Sequence, residues 1–200
     1  IRGRLRLEAD GLRIPPTDPF AFDGDGYRPY NTPASAELVN FNTVIVQIQP
    51  SPDGTRALAT LHPPLAGVNV GNALKIEAGL CPADVVKRLE TGVQEDAQGV
   101  AITLSGRYPT SCGIRWLGLS PLPAERFASA MLEGIWRELG GRLLPADAPA
   151  PATSEWLVAS DDSPTLTEIA YQMNKCTSNP IARQLLALVG AAPSPEAPDH

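Results

Sequence analysis

The sequence predicts an α+β, multidomain protein, with a β-rich module inserted in an α/β unit and a helical segment after both. Three observations predict it. Short runs of alternating apolar residues, separated by Pro- and Gly-rich turns, fill the first half, with Val44, Val46, Ile48 and Val100, Ile102, Leu104 the clearest. A single long helical stripe follows: Phe127, Met131, Ile135 and Leu139, beside Ala128, Leu132 and Trp136. A Pro/Ala-rich boundary at 146–153 then precedes two amphipathic helices. The expected division is 1–30 with 114–150 as the α/β unit, 31–113 as the antiparallel β module, and 151–200 as a helical domain.

In chain order, residues 3–8 alternate, with Leu5 and Leu7 on one side, and predict a strand. Residues 13–37 contain five prolines and two glycines and predict loops. Within them Asp23-Gly24-Asp25-Gly26 resembles the start of a calcium loop. No glutamate closes the twelve-residue pattern, so a turn is expected and no metal. Val44 to Gln49 alternate as a strand, residues 50–54 turn, and Ala57, Ala59 and Leu61 begin the returning strand of a hairpin. Val68-Asn69-Val70 and residues 73–76 predict two further short strands. At 82–90, Val85, Val86 and Leu89 share a helical face, which favours a short helix over a strand. Residues 92–98 are expected to be the approach to the strand at 100–104. The long helix is expected over 123–139, ended by Gly140-Gly141, and a strand is expected to start at Leu143-Leu144.

Composition bounds the function. The chain has 200 residues, 43% of them hydrophobic, enough for a real core. Its net charge of −6 argues against nucleic acid and against an anionic membrane surface as partners. No apolar run approaches the roughly 20 residues of a membrane span. Only His62 and His200 are available to a Ser-His-Asp triad, and no Gly-x-Ser-x-Gly occurs, which disfavours that class of hydrolase. Three cysteines are present. Cys81 and Cys112 each sit beside a turn residue and read either as a bonded pair or as two buried thiols. Their spacing does not suit zinc, and no cofactor is expected. Cys176 is left over and is expected to be a buried, inert thiol rather than a reactive one.

Residues 163–190 carry most of the functional signal. Ser163 reads as an N-cap and Pro164 as a first helical residue, followed by Leu166, Ile169, Ala170 and Met173 at helical spacing. Asn179-Pro180 opens a second helix bearing Ile181, Leu185, Leu188 and Val189, and Gly190 is expected to stop it. Between them lies the polar loop Lys175-Cys176-Thr177-Ser178-Asn179. A hydroxyl and an amide two residues apart at the mouth of a helix suit polar work on a substrate. By themselves the same residues also describe a helix-capping loop.

This segment resembles the D-alanyl-D-alanine carboxypeptidase/endopeptidase family of low-molecular-mass (class C) penicillin-binding proteins. Ser163-Pro164-Thr165-Leu166, Met173-Asn174-Lys175 and Thr177-Ser178-Asn179 stand where that family has its second motif and the helices around it. Tyr30-Asn31, residues 38–42, residues 106–109, Ser111-Cys112-Gly113 and residues 136–141 follow in family order. The resemblance implies acyl transfer to a serine from peptidoglycan stem peptides ending in D-Ala-D-Ala, in a periplasmic or otherwise exported protein. It implies that Thr177 supplies a proton-relaying hydroxyl, that Asn179 hydrogen-bonds the substrate's amide backbone, and that Lys175 supports the local electrostatics. It implies a Cys81–Cys112 disulfide. It also implies that 151–200 is part of a serine-transpeptidase-like (β-lactamase-like) domain, incomplete here.

The family's other two motifs are missing. The lysines are Lys75, Lys87 and Lys175, preceded at three residues by Asn72, Asp84 and Gln172, so no Ser-x-x-Lys occurs, and none is followed by Thr-Gly. The chain is therefore expected to be an internal fragment, inactive alone, with β-lactam binding confined to the intact parent. A non-catalytic module that binds cell-wall material or partner proteins is the alternative reading.

Overall fold

Alternation of branched apolar residues builds the centre of the molecule. In β1 (Val44–Pro50), Val44, Val46 and Ile48 are completely buried while Ile45, Gln47 and Gln49 face the other way. The computed structural model describes residues 17–97, 99–143 and 157–191, with Leu7 and Ile14. β1 is flanked on one side by β2 (Ala57–His62), joined through the turn at 51–54, with Ile45 opposite His62 and Pro50 opposite Ala57. The sequence's hairpin is present. β1's other neighbour comes from far along the chain: β6 (Arg115–Leu119) pairs antiparallel, Val44 opposite Leu119. Sequence reading did not identify this strand, which is five residues long and includes Gly118.

The second sheet has the order β3-β5-β4. β3 runs Val68–Glu77, β4 Glu90–Asp96 and β5 Gly99–Pro109. The two short strands expected in 68–76 are one strand, carried through Gly71 and Asn72 by an unbroken ladder with β5. That ladder, Val68 opposite Val100 to Glu77 opposite Pro109, is parallel, whereas antiparallel pairing was expected of the module. The expected approach at 92–98 is instead β4, antiparallel to β5, with Glu95 opposite Val100. The helix expected at 82–90 shrinks to a 3-10 turn, Val85–Arg88, because Glu90 already belongs to β4. Val85 still enters the core at 2% exposure. The strand expected at 3–8 lies outside the described residues except for Leu7, which is exposed and in no strand. The strand expected from Leu143 likewise lies outside them, apart from Leu143 itself, which is in coil.

The two sheets and one helix share a core. Val44, Val46, Ile48, Val100, Ile102 and Leu104 meet Leu117, Leu119 and Phe127, and Phe127 comes from α1 (Ala124–Glu138), the helix read at 123–139. Leu139 is its C-cap and is exposed, so the apolar row ends at Ile135. α1 lies close against residues 64–66. The amide of Ala66 donates to the Ala130 carbonyl at 2.9 Å, and a side chain on Gly134 would put a carbon 2.3 Å from the Pro64 oxygen. Only glycine permits that approach.

Candidate active site

The helix pair after residue 157 begins with a reciprocal cap. Thr165 precedes α2 (Leu166–Cys176): its hydroxyl accepts from the Glu168 amide, and the Glu168 carboxylate accepts from the Thr165 amide at 2.9 Å. This is the Thr-x-x-Glu box, and it starts the helix two residues later than Ser163-Pro164 suggests. The Thr165 hydroxyl and then its amide hold the Glu168 carboxyl below its ordinary range.

Thr177 ends α2 in the left-handed conformation, φ 50° and ψ 50°. A β-branched residue there costs about 1–2 kcal/mol relative to right-handed backbone. In return the Met173 carbonyl accepts from the Thr177 amide and from the Ser178 amide, the latter at 3.3 Å. The reversal lets α3 (Asn179–Ala191) start at once, with the Ala182 amide donating to the Ser178 carbonyl at 3.0 Å. Pro180 sits in the first turn, where it removes no helical bond. The helix continues through Gly190, which was expected to stop it.

Lys175, Cys176, Thr177 and Asn179 are all exposed. Among the described residues, the side chains of Lys175, Thr177 and Asn179 make no hydrogen bond or ion pair. Cys176 is free, as expected, but it is exposed rather than buried. The apolar stripes are also more open than their pattern implies. α2 buries no residue fully, Leu166, Tyr171, Leu186 and Val189 are exposed, and among the described residues of the loop and α3 only Pro180 and Ile181 are buried.

α3 is seated on residues 30–35. The Arg183 guanidinium donates to the carbonyls of Tyr30 at 2.6 Å and Thr32 at 3.2 Å. The Gln184 amide donates to the Ser35 carbonyl at 2.8 Å and accepts from the Ser35 amide at 3.0 Å. Arg183 lies one helical turn beyond Asn179, so both occupy one face of α3. Through Arg183 this face meets the 3-10 turn Pro29–Asn31, while Asn179 at its start stays exposed.

The same turn gathers residues from a stretch whose sequence predicts only loops. Asp23 accepts from the Tyr30 hydroxyl at 2.7 Å and from the Asn31 side-chain amide at 2.7 Å. The Tyr30 hydroxyl, then the Asp25 amide, hold the Asp23 carboxyl below its ordinary range, and Asp23 in turn raises the Tyr30 phenol. The Asp-Gly-Asp-Gly turn was legible, but its partners were not, because nothing local in sequence pairs Asp23 with Tyr30. Among the described residues, no group of three or more His, Cys, Asp or Glu side chains converges as a metal site would require. No helix among them is long and apolar enough to cross a membrane. Cys81 and Cys112 are bonded, closing a separation of 31 residues, with the Ser111 hydroxyl donating to the Gly79 carbonyl at 2.7 Å beside the bridge.

The sequence pattern of the D-Ala-D-Ala carboxypeptidase 3 (S13) family matches residues 14–198, which include both sheets, α1 and the helix pair. The chain belongs to this family. A search of curated protein sequences gives no match. Among solved structures, the S13 chain is similar to penicillin binding protein 4 (dacB) of Haemophilus influenzae. The identity is 17% and the TM-score 0.53, over 82% of this chain and 35% of that one. A second structure of the same protein, complexed with a novel β-lactam, matches at 17% identity and TM-score 0.50, over 78% and 35%. The S13 chain thus spans about a third of the length of the solved structures it matches, and at this identity the likeness speaks to fold. That fold is a mixed α+β architecture.

Proposed function

We propose that this S13 chain contributes the second catalytic motif and the inserted β-rich part of a serine-type D-Ala-D-Ala carboxypeptidase/endopeptidase acting on peptidoglycan stem peptides. The observation that carries the reading is the Thr177–Asn179 turn. It is a strained, exposed reversal between two helices, and the resemblance assigns the family's second motif to it. The chemistry is acyl transfer. A serine supplied by a Ser-x-x-Lys motif attacks the penultimate carbonyl, forming an acyl-enzyme and releasing D-alanine, and water then cleaves the ester. In this scheme the Thr177 hydroxyl relays the proton to the leaving amine. Asn179 holds the substrate's amide backbone, and Lys175 adds positive charge beside the carboxylate-bearing substrate.

The 200 residues contain no Ser-x-x-Lys, so the chain alone is expected to form no covalent adduct with labelled penicillin. The complete gene product is expected to form one. In it, Asn179→Ala should slow acylation by roughly 10²–10³-fold, the effect of losing one positioned polar group at a reacting centre. Thr177→Val should slow it too, and Thr177→Ser should be close to neutral. Unchanged labelling in both Asn179→Ala and Thr177→Val would reduce the loop to a helix cap. The disulfide supports an exported location, since such bonds persist in oxidising compartments.

A further inference from the structure

We propose that Arg183 and Gln184 are positioning residues, which fix the 175–179 loop against residues 30–35 and so let the β-rich part of the chain set where Thr177 and Asn179 stand. The inference rests on the catalytic reading of that loop.

All four contacts of the pair are to main chain. Arg183 meets the Tyr30 and Thr32 carbonyls, and Gln184 exchanges two hydrogen bonds with Ser35, as a neighbouring strand would. A guanidinium on two carbonyls and an amide on a peptide unit fix both the rotation of α3 about its axis and its slide along it. Asn179 shares a face with Arg183 one turn away. A rigid helix therefore converts any movement at the clamp into displacement of Asn179. A misplacement of about 1 Å at a reacting centre can lower a rate by roughly 10²-fold.

The seat itself is anchored. Thr32 is 1% exposed, and its hydroxyl lies 3.2 Å from that of Ser120. The Ser120 hydroxyl accepts from the Asn42 side chain at 2.7 Å, and that same amide group donates to the Leu122 carbonyl at 2.7 Å. The Ser120 amide donates to the Tyr27 carbonyl at 2.8 Å. Thr32 thus joins the clamp to the connection between β6 and α1. Among the described residues, α2 buries nothing fully and α3 buries only Pro180 and Ile181, so these hydrogen bonds are a large share of what holds the helix pair.

Cys176 provides the readout. It is exposed and is the one thiol outside the disulfide. Nitroxide labels on Cys176 and on Lys75→Cys in β3 report the distance between the loop and the sheets by pulsed electron spin resonance. The otherwise unaltered 200-residue chain should give one narrow distribution. Arg183→Ala with Gln184→Ala should broaden it while far-ultraviolet circular dichroism and the disulfide persist. Arg183→Lys, which keeps a donor but loses the fork, should restore part of the narrowing, which a merely destabilised helix would not do. An unchanged distribution in the double variant overturns the proposal. If the double variant unfolds, Gln184→Glu, which keeps the acceptor for the Ser35 amide and loses the donor, is read in its place.

In the complete gene product the double variant should acylate about 10–100-fold more slowly. Broadened distances with an unmutated acylation rate, where Asn179→Ala does slow acylation, overturn the positioning role. Asn179→Ala should slow acylation with the distances unchanged. If it leaves the rate intact, the catalytic reading of the loop falls, and the positioning role that rests on it falls with it; the distance measurement still decides whether Arg183 and Gln184 dock the loop.

Discussion

At the scale of single residues, Thr177 is the most telling. Its hydroxyl and its place between the helices were legible in the sequence. Its left-handed backbone was not, since threonine is a poor choice for that conformation. The strain leads to a prediction that separates stability from function. Thr177→Gly should stabilise the helix pair by about 1 kcal/mol, read by urea denaturation, because glycine adopts φ near 50° without steric conflict. The same change should lower penicillin acylation in the complete gene product, because the hydroxyl is gone. A loss of stability would show that the threonine side chain does more than the turn requires. Asp53 yields a second prediction. The Ser51 hydroxyl, then the Thr55 amide, hold its carboxyl down from 3.8 to about 2. Its contribution to the β1–β2 hairpin is therefore full above about pH 3.8 and lost as the pH falls through about 2. The difference in unfolding free energy between the unaltered chain and Asp53→Asn should shrink across that window. A difference that is flat with pH would mean that the bonds to Ser51 and Thr55 do not depend on charge.

At the scale of elements, what could be read depended on how far each signal reached along the chain. β1, β2, α1 and the helix pair announced themselves by local periodicity and by turn or cap residues. β4 did not, because Glu90, Gly92, Gln94, Glu95 and Asp96 leave only Thr91 and Val93 on an inward face. It is a strand because β5 offers it a ladder. The parallel register of β3 on β5 has no local signal either. The start of α2 departs from its sequence signal for a different reason. Ser163-Pro164 is a plausible start, but Thr165 and Glu168 satisfy two orphan amides at once and so win. Thr165→Ala should therefore destabilise α2 by about 1 kcal/mol, seen as faster amide exchange over 166–170, and Ser163→Ala should have little effect. The reverse outcome would restore the earlier start.

At the scale of the whole molecule, two sheets share one core, and the disulfide closes a long loop across the second of them. Serine at Cys81 and Cys112 should lower stability by roughly 3–4 kcal/mol in the chain-entropy picture, measured by denaturant titration. A loss near zero would mean that β3, β4 and β5 already restrict the unfolded chain. The resemblance pointed to this bond, and the residues alone did not. The site shows the same division. Its side chains were readable at 175–179, whereas its attachment through Arg183 and Gln184 to residues 30–35 spans about 150 positions and leaves no local trace.

The order β3-β5-β4 also fixes a sequence of events in time. A polypeptide emerges from its N-terminus, and the middle strand of this sheet is the last of its three to be made. Until β5 arrives, β3 and β4 have no ladder to join, and each offers an open edge to any other extended chain. Cys112 follows β5 by three residues, so closure of the bridge to Cys81 reports that the last strand has docked. Oxidation thus marks the completed sheet in time as well as stabilising it. A chain released after residue 98 should keep Cys81 as a free thiol and fall quickly to protease, whereas one released after residue 122 should be bridged and resistant.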